Sequence, residues 1–146
     1  MQKSVLRWLF ACVVAIGLML PAVEAHAARL IATIDISDQR MYVSLDGSQV
    51  GAWVISTARP GYRTPLGTYK PVRLERTWYS TKYDYAPMPY SIFFRGGYAI
   101  HGTDDLKRLG RPVSHGCVRL HPDNARTLFN LVRKVGRNAS RIVVRR

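Results

Sequence analysis

Ser114-His115-Gly116-Cys117-Val118-Arg119-Leu120, with His101-Gly102-Thr103 upstream of it, is the stretch on which the reading of this 146-residue chain turns. A thiol with a pKa of about 8.5 is only a few per cent thiolate near neutrality, so it needs an imidazole to take its proton before it serves as an acyl-transfer nucleophile. Cys117 has two candidate partners. His115, two residues earlier, shares its face if the segment is extended and diverges if the segment turns sharply. His101 sits on a separate segment that the fold must bring in, which is how a base usually meets its nucleophile, and it is the favoured base. Gly102 offers His101 a backbone carbonyl for the Nδ1 proton, which would hold the ring in one tautomer. Ser114, His115 and Gly116 precede the thiol, and a glycine there lets backbone N–H groups turn toward a developing oxyanion. Arg119 carries a planar fork suited to a carboxylate. The implied substrate is an acyl donor bearing a free carboxylate, and the chemistry calls for no cofactor.

Outward from this stretch the pattern is β. Ala32, Ile34 and Ile36, then Met41, Val43 and Leu45, then Val50, Ala52 and Val54 alternate with their neighbours at period two, the signature of strands. Ser37-Asp38-Gln39-Arg40 and Asp46-Gly47 supply the turns of a three-stranded meander, with the alternating apolar residues building core. Thr64-Pro65-Leu66-Gly67 reads as a turn into one short strand over Thr68 to Leu74. Trp78, Tyr79, Tyr83, Tyr85 and Tyr90 crowd an irregular segment that either lines a groove or covers the sheet. Ser91 to Phe94 and Tyr98 to Ile100 read as strands around Gly96-Gly97, delivering His101 at a strand end. Asp104 to Pro112 is a polar loop; Asp104 or Asp105 could be an acidic third member of the site, but solvation in the loop is the simpler reading. Pro122 suits a first helical position, and Ala125, Leu128, Val132 and Val135 mark one helical face ending at Gly136. Ile142 to Val144 is a last strand.

Ser114-His115-Gly116-Cys117-Val118-Arg119, preceded by His101-Gly102-Thr103 and by Thr64-Pro65-Leu66-Gly67-Thr68-Tyr69, resembles the L,D-transpeptidase (YkuD-type) catalytic domain of bacterial peptidoglycan enzymes, over nearly all of the chain from about Arg29 on. The resemblance implies a mainly β fold, YkuD-like, of β-sandwich or barrel-like mixed sheets with one packed α-helix and an active-site loop. It implies Cys117 as the nucleophile and His101 as proton acceptor and donor. It implies Ser114, His115 and Gly116, with Gly102, as support of the oxyanion site, and Arg119 as the contact to the donor carboxylate. Some members carry Asn at the position of Arg119. In the family the cysteine attacks the third residue of a tetrapeptide stem, releases the terminal D-alanine and passes the acyl group to an amine; carbapenems are implied as acylating inhibitors. The Thr-Pro-x-Gly turn supports the catalytic wall. The partners are peptidoglycan stem peptides, with an envelope lipoprotein as one possible acceptor. A stem amine, a lipoprotein lysine, a free D-amino acid and water share the same nucleophilic half-reaction, so the motif leaves the acceptor open.

Lys3 and Arg7, an apolar run from Trp8 to Leu20, then Pro21 and Ala25-His26-Ala27 have the basic, apolar and small-x-small parts of a secretory signal. The expected organisation is a signal peptide over 1–27 and a catalytic domain over 28–146, in the periplasm or cell envelope. A retained anchor fits less well, because the run is about a dozen residues and a spanning helix needs roughly 20. With Cys12 in the leader, Cys117 is the single cysteine left in an oxidising compartment, where an unpaired thiol is a liability unless it works. The formal charge of +13 comes from basic residues scattered along the chain, without the stripe or module of a specific nucleic-acid binder. His101, His115, Cys117 and His121 are zinc-ligand types, but the spacing is no common ligand pair and no second cysteine joins them, so no metal site is expected. Two other readings stay open: a hydrolase on the same substrates, and a non-catalytic cationic domain that binds the envelope.

Overall fold

The computed structural model describes residues 29–146, so the expected leader lies outside the described residues. Nine strands form one sheet: β1 Leu30–Asp35, β2 Arg40–Leu45, β3 Ser48–Ser56, β4 Gly67–Tyr69, β5 Arg73–Glu75, β6 Ser91–Arg95, β7 Tyr98–Gly102, β8 Val118–Leu120 and β9 Ser140–Arg145. Their order across the sheet is β4-β9-β1-β2-β3-β8-β7-β6-β5. The pairs β1/β9 and β7/β8 are parallel and the others antiparallel, so the sheet is mixed, as the resemblance implied.

The meander forms where the alternation placed it. Asp46-Gly47, with φ of 49° and 82°, makes the two-residue hairpin turn that such a pair favours, because both positions need left-handed backbone. The phase of β3 differs from the sequence reading: Val50 and Val54 are exposed, and the core side is taken by Gly51, Trp53 and Ile55. Register decides this. Met41 and Val43 of β2 are buried and stand opposite Trp53 and Gly51, and residues directly opposite in an antiparallel pair share a face. Gly51 makes room for the indole, since a Cβ there would lie 2.6 Å from Trp53 Cζ2.

β3 also joins the two halves of the sheet. Its residues up to Val54 pair with β2, whereas Ile55 and Ser56 pair with β8. The sheet curls at this junction until its ends meet: the ring of Tyr69 in β4 lies 5.3 Å from that of Phe94 in β6, and Arg95 Nη1 donates to the Tyr69 hydroxyl at 3.3 Å. The single strand expected over Thr68 to Leu74 is instead two. Pro71 has no N–H to give a ladder, and the chain breaks there into β4, paired with β9 at one sheet edge, and β5, paired with β6 at the other.

Helix α1, Pro122–Val135, has Pro122 in its first turn, an N-terminal N–H of Asp123 donating to His121 Nδ1, and Gly136 at its C-terminus with φ 95°. Its buried face is Ala125, Leu128, Phe129 and Val132, packed against β7 and in one cluster with the inward residues of β1, β2 and β8. Burying each of the larger of these side chains is worth about 1.5–3 kcal/mol, so the helix backs the strand that carries His101.

Candidate active site

β7 and β8 run parallel, and their register sets His101 beside Arg119. Cys117 precedes β8 by one residue, so the thiol enters beside this pair from the turn that leads into β8. All three line a cavity of about 460 Å³, with His115, Tyr83 and Asp105 among its other walls. His101 lies inside β7, one residue before its end.

The imidazole of His101 is buried, at 6% exposure, with Nδ1 2.7 Å from the Gly102 carbonyl oxygen. A carbonyl only accepts, so Nδ1 carries the proton and Nε2 keeps its lone pair. Burial pushes the His101 pKa down to about 4, against the Gly102 hydrogen bond that raises it, and the Arg119 charge pushes the same way as burial. Burial likewise raises the Cys117 thiol, partly offset by the Ala99 backbone and the Arg119 charge. Near neutral pH both groups rest uncharged, as a thiol and an imidazole. The thiol's polar contact is the Gly97 carbonyl at 3.7 Å.

The turn before Cys117 is held by its own atoms and by the loop after β3. Ser114 Oγ donates to the Cys117 carbonyl at 2.6 Å and accepts from the Gly116 N–H at 3.0 Å. Ser114 N donates to Thr57 O at 2.9 Å, and Arg59 N to Ser114 O at 3.0 Å. Thr57 is clamped in turn by Gln39, whose Nε2 donates to Thr57 Oγ1 at 2.6 Å and whose Oε1 accepts from Thr57 N at 2.9 Å. Thr64 Oγ1 donates to the Gly116 carbonyl at 2.9 Å and accepts from Ala58 N at 3.1 Å. Gly116 has φ 132°, and a Cβ there would fall 2.5 Å from Tyr98 Cε1 and 2.9 Å from the Arg63 carbonyl; no other residue fits without displacing that wall.

This turn also parts the two residues that the sequence set two apart. The His115 ring stacks on Tyr83, with centroids 4.2 Å apart and planes at 9°, and meets Tyr62 edge-on at 4.7 Å. Burial lowers its pKa, with the Arg59, Arg119 and Lys82 charges adding to the effect. The aromatic segment thus serves both expected purposes, residue by residue. Tyr83 lines the cavity, Trp78 packs on Phe93, Tyr90 packs on Phe129, and Tyr79 and Tyr85 stay exposed.

Asp105 departs from the reading of a solvated loop residue. Its Oδ2 lies 2.5 Å from Arg108 Nη2 and 3.7 Å from Arg119 Nη1, and Arg108 above all holds its carboxyl below the usual carboxylate range. It faces the arginines, while the Nδ1 proton of His101 goes to Gly102. Nothing in the spacing of Asp105 and Arg119 announced the pair, because β7 and β8 must lie side by side before the two meet. His121 caps α1 and does not line the cavity.

The family model for the L,D-transpeptidase catalytic domain, YkuD, matches residues 29–144. Among solved structures, an L,D-transpeptidase from Mycobacterium smegmatis superposes with a TM-score of 0.73 at 23% identity, covering 82% of this chain and 59% of that one, a likeness of fold. An L,D-transpeptidase from Mycobacterium tuberculosis H37Rv gives a TM-score of 0.73 at 25% identity, covering 81% and 58%. The L,D-transpeptidase LdtMt1 in complex with imipenem gives 0.71 at 26%, covering 80% and 59%. The chain therefore spans less than two thirds of the length of each of these relatives. No curated protein sequence matches it.

Proposed function

Starting from the fact that the chain belongs to the L,D-transpeptidase catalytic domain (YkuD) family, we propose that it is a peptidoglycan L,D-transpeptidase working through Cys117. The observation that carries this reading is the convergence of Cys117, His101 and Arg119 on one cavity from β7, β8 and the turn that leads into β8. His101 Nε2 takes the thiol proton, and the thiolate attacks the carbonyl of the third residue of a tetrapeptide stem. The Gly116 N–H is spent on Ser114 Oγ, which leaves the N–H groups of His115 and Cys117 as the backbone donors of the turn for the oxyanion. Collapse of the tetrahedral intermediate breaks the bond to the terminal D-alanine, whose amine leaves with the proton from His101. An acceptor amine then attacks the thioester, His101 takes its proton, and Cys117 is regenerated.

Arg119 receives the donor's carboxylate, with Asp105 holding the guanidinium until substrate arrives. The resting pair is uncharged, so the attacking thiolate has to be made by that proton transfer in each turnover. No step calls for a cofactor or a metal. The leader over 1–27 would export the domain, residues 28–146, to the cell envelope; among the described residues no helix is long and apolar enough to cross a membrane.

Mass spectrometry of tetrapeptide-bearing muropeptides incubated with the protein, with and without an added D-amino acid, tests this. Loss of D-alanine with dimers or exchange products is expected, and Cys117→Ala should abolish it while remaining folded. Tripeptide as the sole product would make the protein a hydrolase on the same substrate. Undiminished turnover in Cys117→Ala would remove Cys117 from the reaction, and an inert wild type would favour a domain that only binds the envelope.

A further inference from the structure

A second cavity, of about 650 Å³, has Thr64 in its wall and shares no lining residue with the first. It is built by the curl of the sheet: Arg63 comes from the loop after β3, Arg95 from the end of β6 and Arg146 from the position after β9, and all three line it. We propose that this cavity is an oxyanion site for a phosphate group carried on a larger molecule.

Polar accounting points to the ligand. The threonine hydroxyls of the wall are already committed: Thr64 Oγ1 to Gly116 and Ala58, Thr57 Oγ1 to Gln39. The side-chain donors left are the Tyr62 hydroxyl and three guanidiniums, and only the guanidiniums carry charge. Among the described residues, none of Arg63, Arg95 and Arg146 is in an ion pair, and no acidic side chain lines the cavity. Arg145, next in the chain, is paired with Asp35 at 3.4 Å, so an acid stands close by and serves the neighbouring arginine. The one side-chain contact within the group is Arg95 Nη1 to the Tyr69 hydroxyl at 3.3 Å, which steadies the guanidinium without neutralising it.

Gathering cations around one concavity, in a chain of net charge +13, is unfavourable unless an anion offsets their repulsion. A planar fork binds carboxylate or phosphate in pairs of parallel hydrogen bonds. Three forks outnumber the two oxygens of a carboxylate and match the three acceptor oxygens and the charge of nearly −2 on a phosphomonoester. The cavity is several times larger than a phosphate ion, so the remaining space takes the rest of the molecule that bears it. The site stands apart from the reaction proposed above, and none of its arginines acts there.

Isothermal titration with inorganic phosphate, glycerol 3-phosphate and acetate, at ionic strength held constant with sodium chloride, tests the assignment. The expected result is binding of both phosphates, tighter for glycerol 3-phosphate, with no heat from acetate. Arg95→Gln/Arg146→Gln should weaken binding at least about tenfold, and Arg63→Gln should weaken it alone. These side chains are exposed, so the variants should keep wild-type circular dichroism. Arg119→Gln, in the other cavity, should bind phosphate as wild type does. Loss of binding in Arg119→Gln with retention in the double variant would overturn the proposal by placing the anion beside Cys117. Acetate binding as tightly as phosphate would overturn the phosphate assignment, and no binding of any phosphate at millimolar concentration would overturn the site.

Discussion

His101 and Cys117 both carry protonation states set by burial, in opposite senses. The imidazole is pushed down to about 4 and the thiol up from its usual range, so the uncharged pair is the resting form. Alkylation of Cys117 by iodoacetamide should then accelerate with pH through the alkaline range, with its midpoint above the ordinary thiol value. A rate already level between pH 5 and 7 would instead mean a preformed thiolate–imidazolium pair. The same burial has a stability consequence. In the unfolded chain His101 titrates near 6.5, in the folded protein near 4. Both states bind equal numbers of protons at this residue above the higher value; as pH falls between the two, only the unfolded chain gains one. Folding stability should therefore drop by about 3 kcal/mol on acidification from pH 6.5 to 4. His101→Gln, which has nothing to titrate, should lack this part of the acid loss in urea unfolding followed across that range; an identical pH dependence in the variant would contradict it.

At the scale of the element, the catalytic turn is held as much by the segment after β3 as by its own sequence. Thr64 supplies the link that a sequence pattern can show only as a Thr before Pro. Its hydroxyl accepts from Ala58 N and donates to the Gly116 carbonyl. Thr64→Val keeps the shape, removes both bonds and leaves the buried Gly116 carbonyl without its partner, at a cost of about 1–3 kcal/mol, with a smaller loss at the part-buried Ala58 N–H. Thr64→Ser should restore most of that. Thermal unfolding, read together with the alkylation rate of Cys117, checks it: Val should lower both the melting temperature and the reactivity, and Ser should recover both. Ser114, whose hydroxyl spans Cys117 and Gly116, shows why a motif residue can be recognised while its task is not. The quoted residues identified the turn, but which N–H groups it spends internally depends on the turn's conformation. The strand pairings of Thr68 to Leu74 were similarly hidden: Pro71 was visible in the sequence, whereas the separation of its flanks to opposite sheet edges depended on the curl.

For the whole molecule, the curl brings the two ends of the sheet together and gathers the walls of the second cavity, whereas the first lies, among strands, against β7 and β8 alone. Phe94, buried on β6, meets Tyr69 of β4 where the ends approach, and no local preference of either segment calls for that contact. Phe94→Ala should cost about 3–5 kcal/mol, the range for emptying a buried aromatic position. Urea denaturation measures it, and a loss below 1 kcal/mol would show that the contact contributes little to closing the sheet. Net charge belongs to this scale too. The basic residues were legible as an excess without a purpose; folding pairs several with acids and leaves Arg63, Arg95 and Arg146 in one unpaired group.

The sequence by itself determined the elements and the kind of chemistry, because both rest on local rules. Period-two alternation built β1 and β2, Asp46-Gly47 the hairpin, and Pro122 with Gly136 the limits of α1. Cys117 between His115 and Arg119, with His101-Gly102 upstream, named the candidate groups. The tertiary structure alone decided the phase of β3, the division at Pro71, the pairing of Asp105 with Arg119 and the separate surroundings of His101 and His115. Each of these depends on which strand lies beside which, and a residue's burial, charge partners and proton affinity are properties of those neighbours.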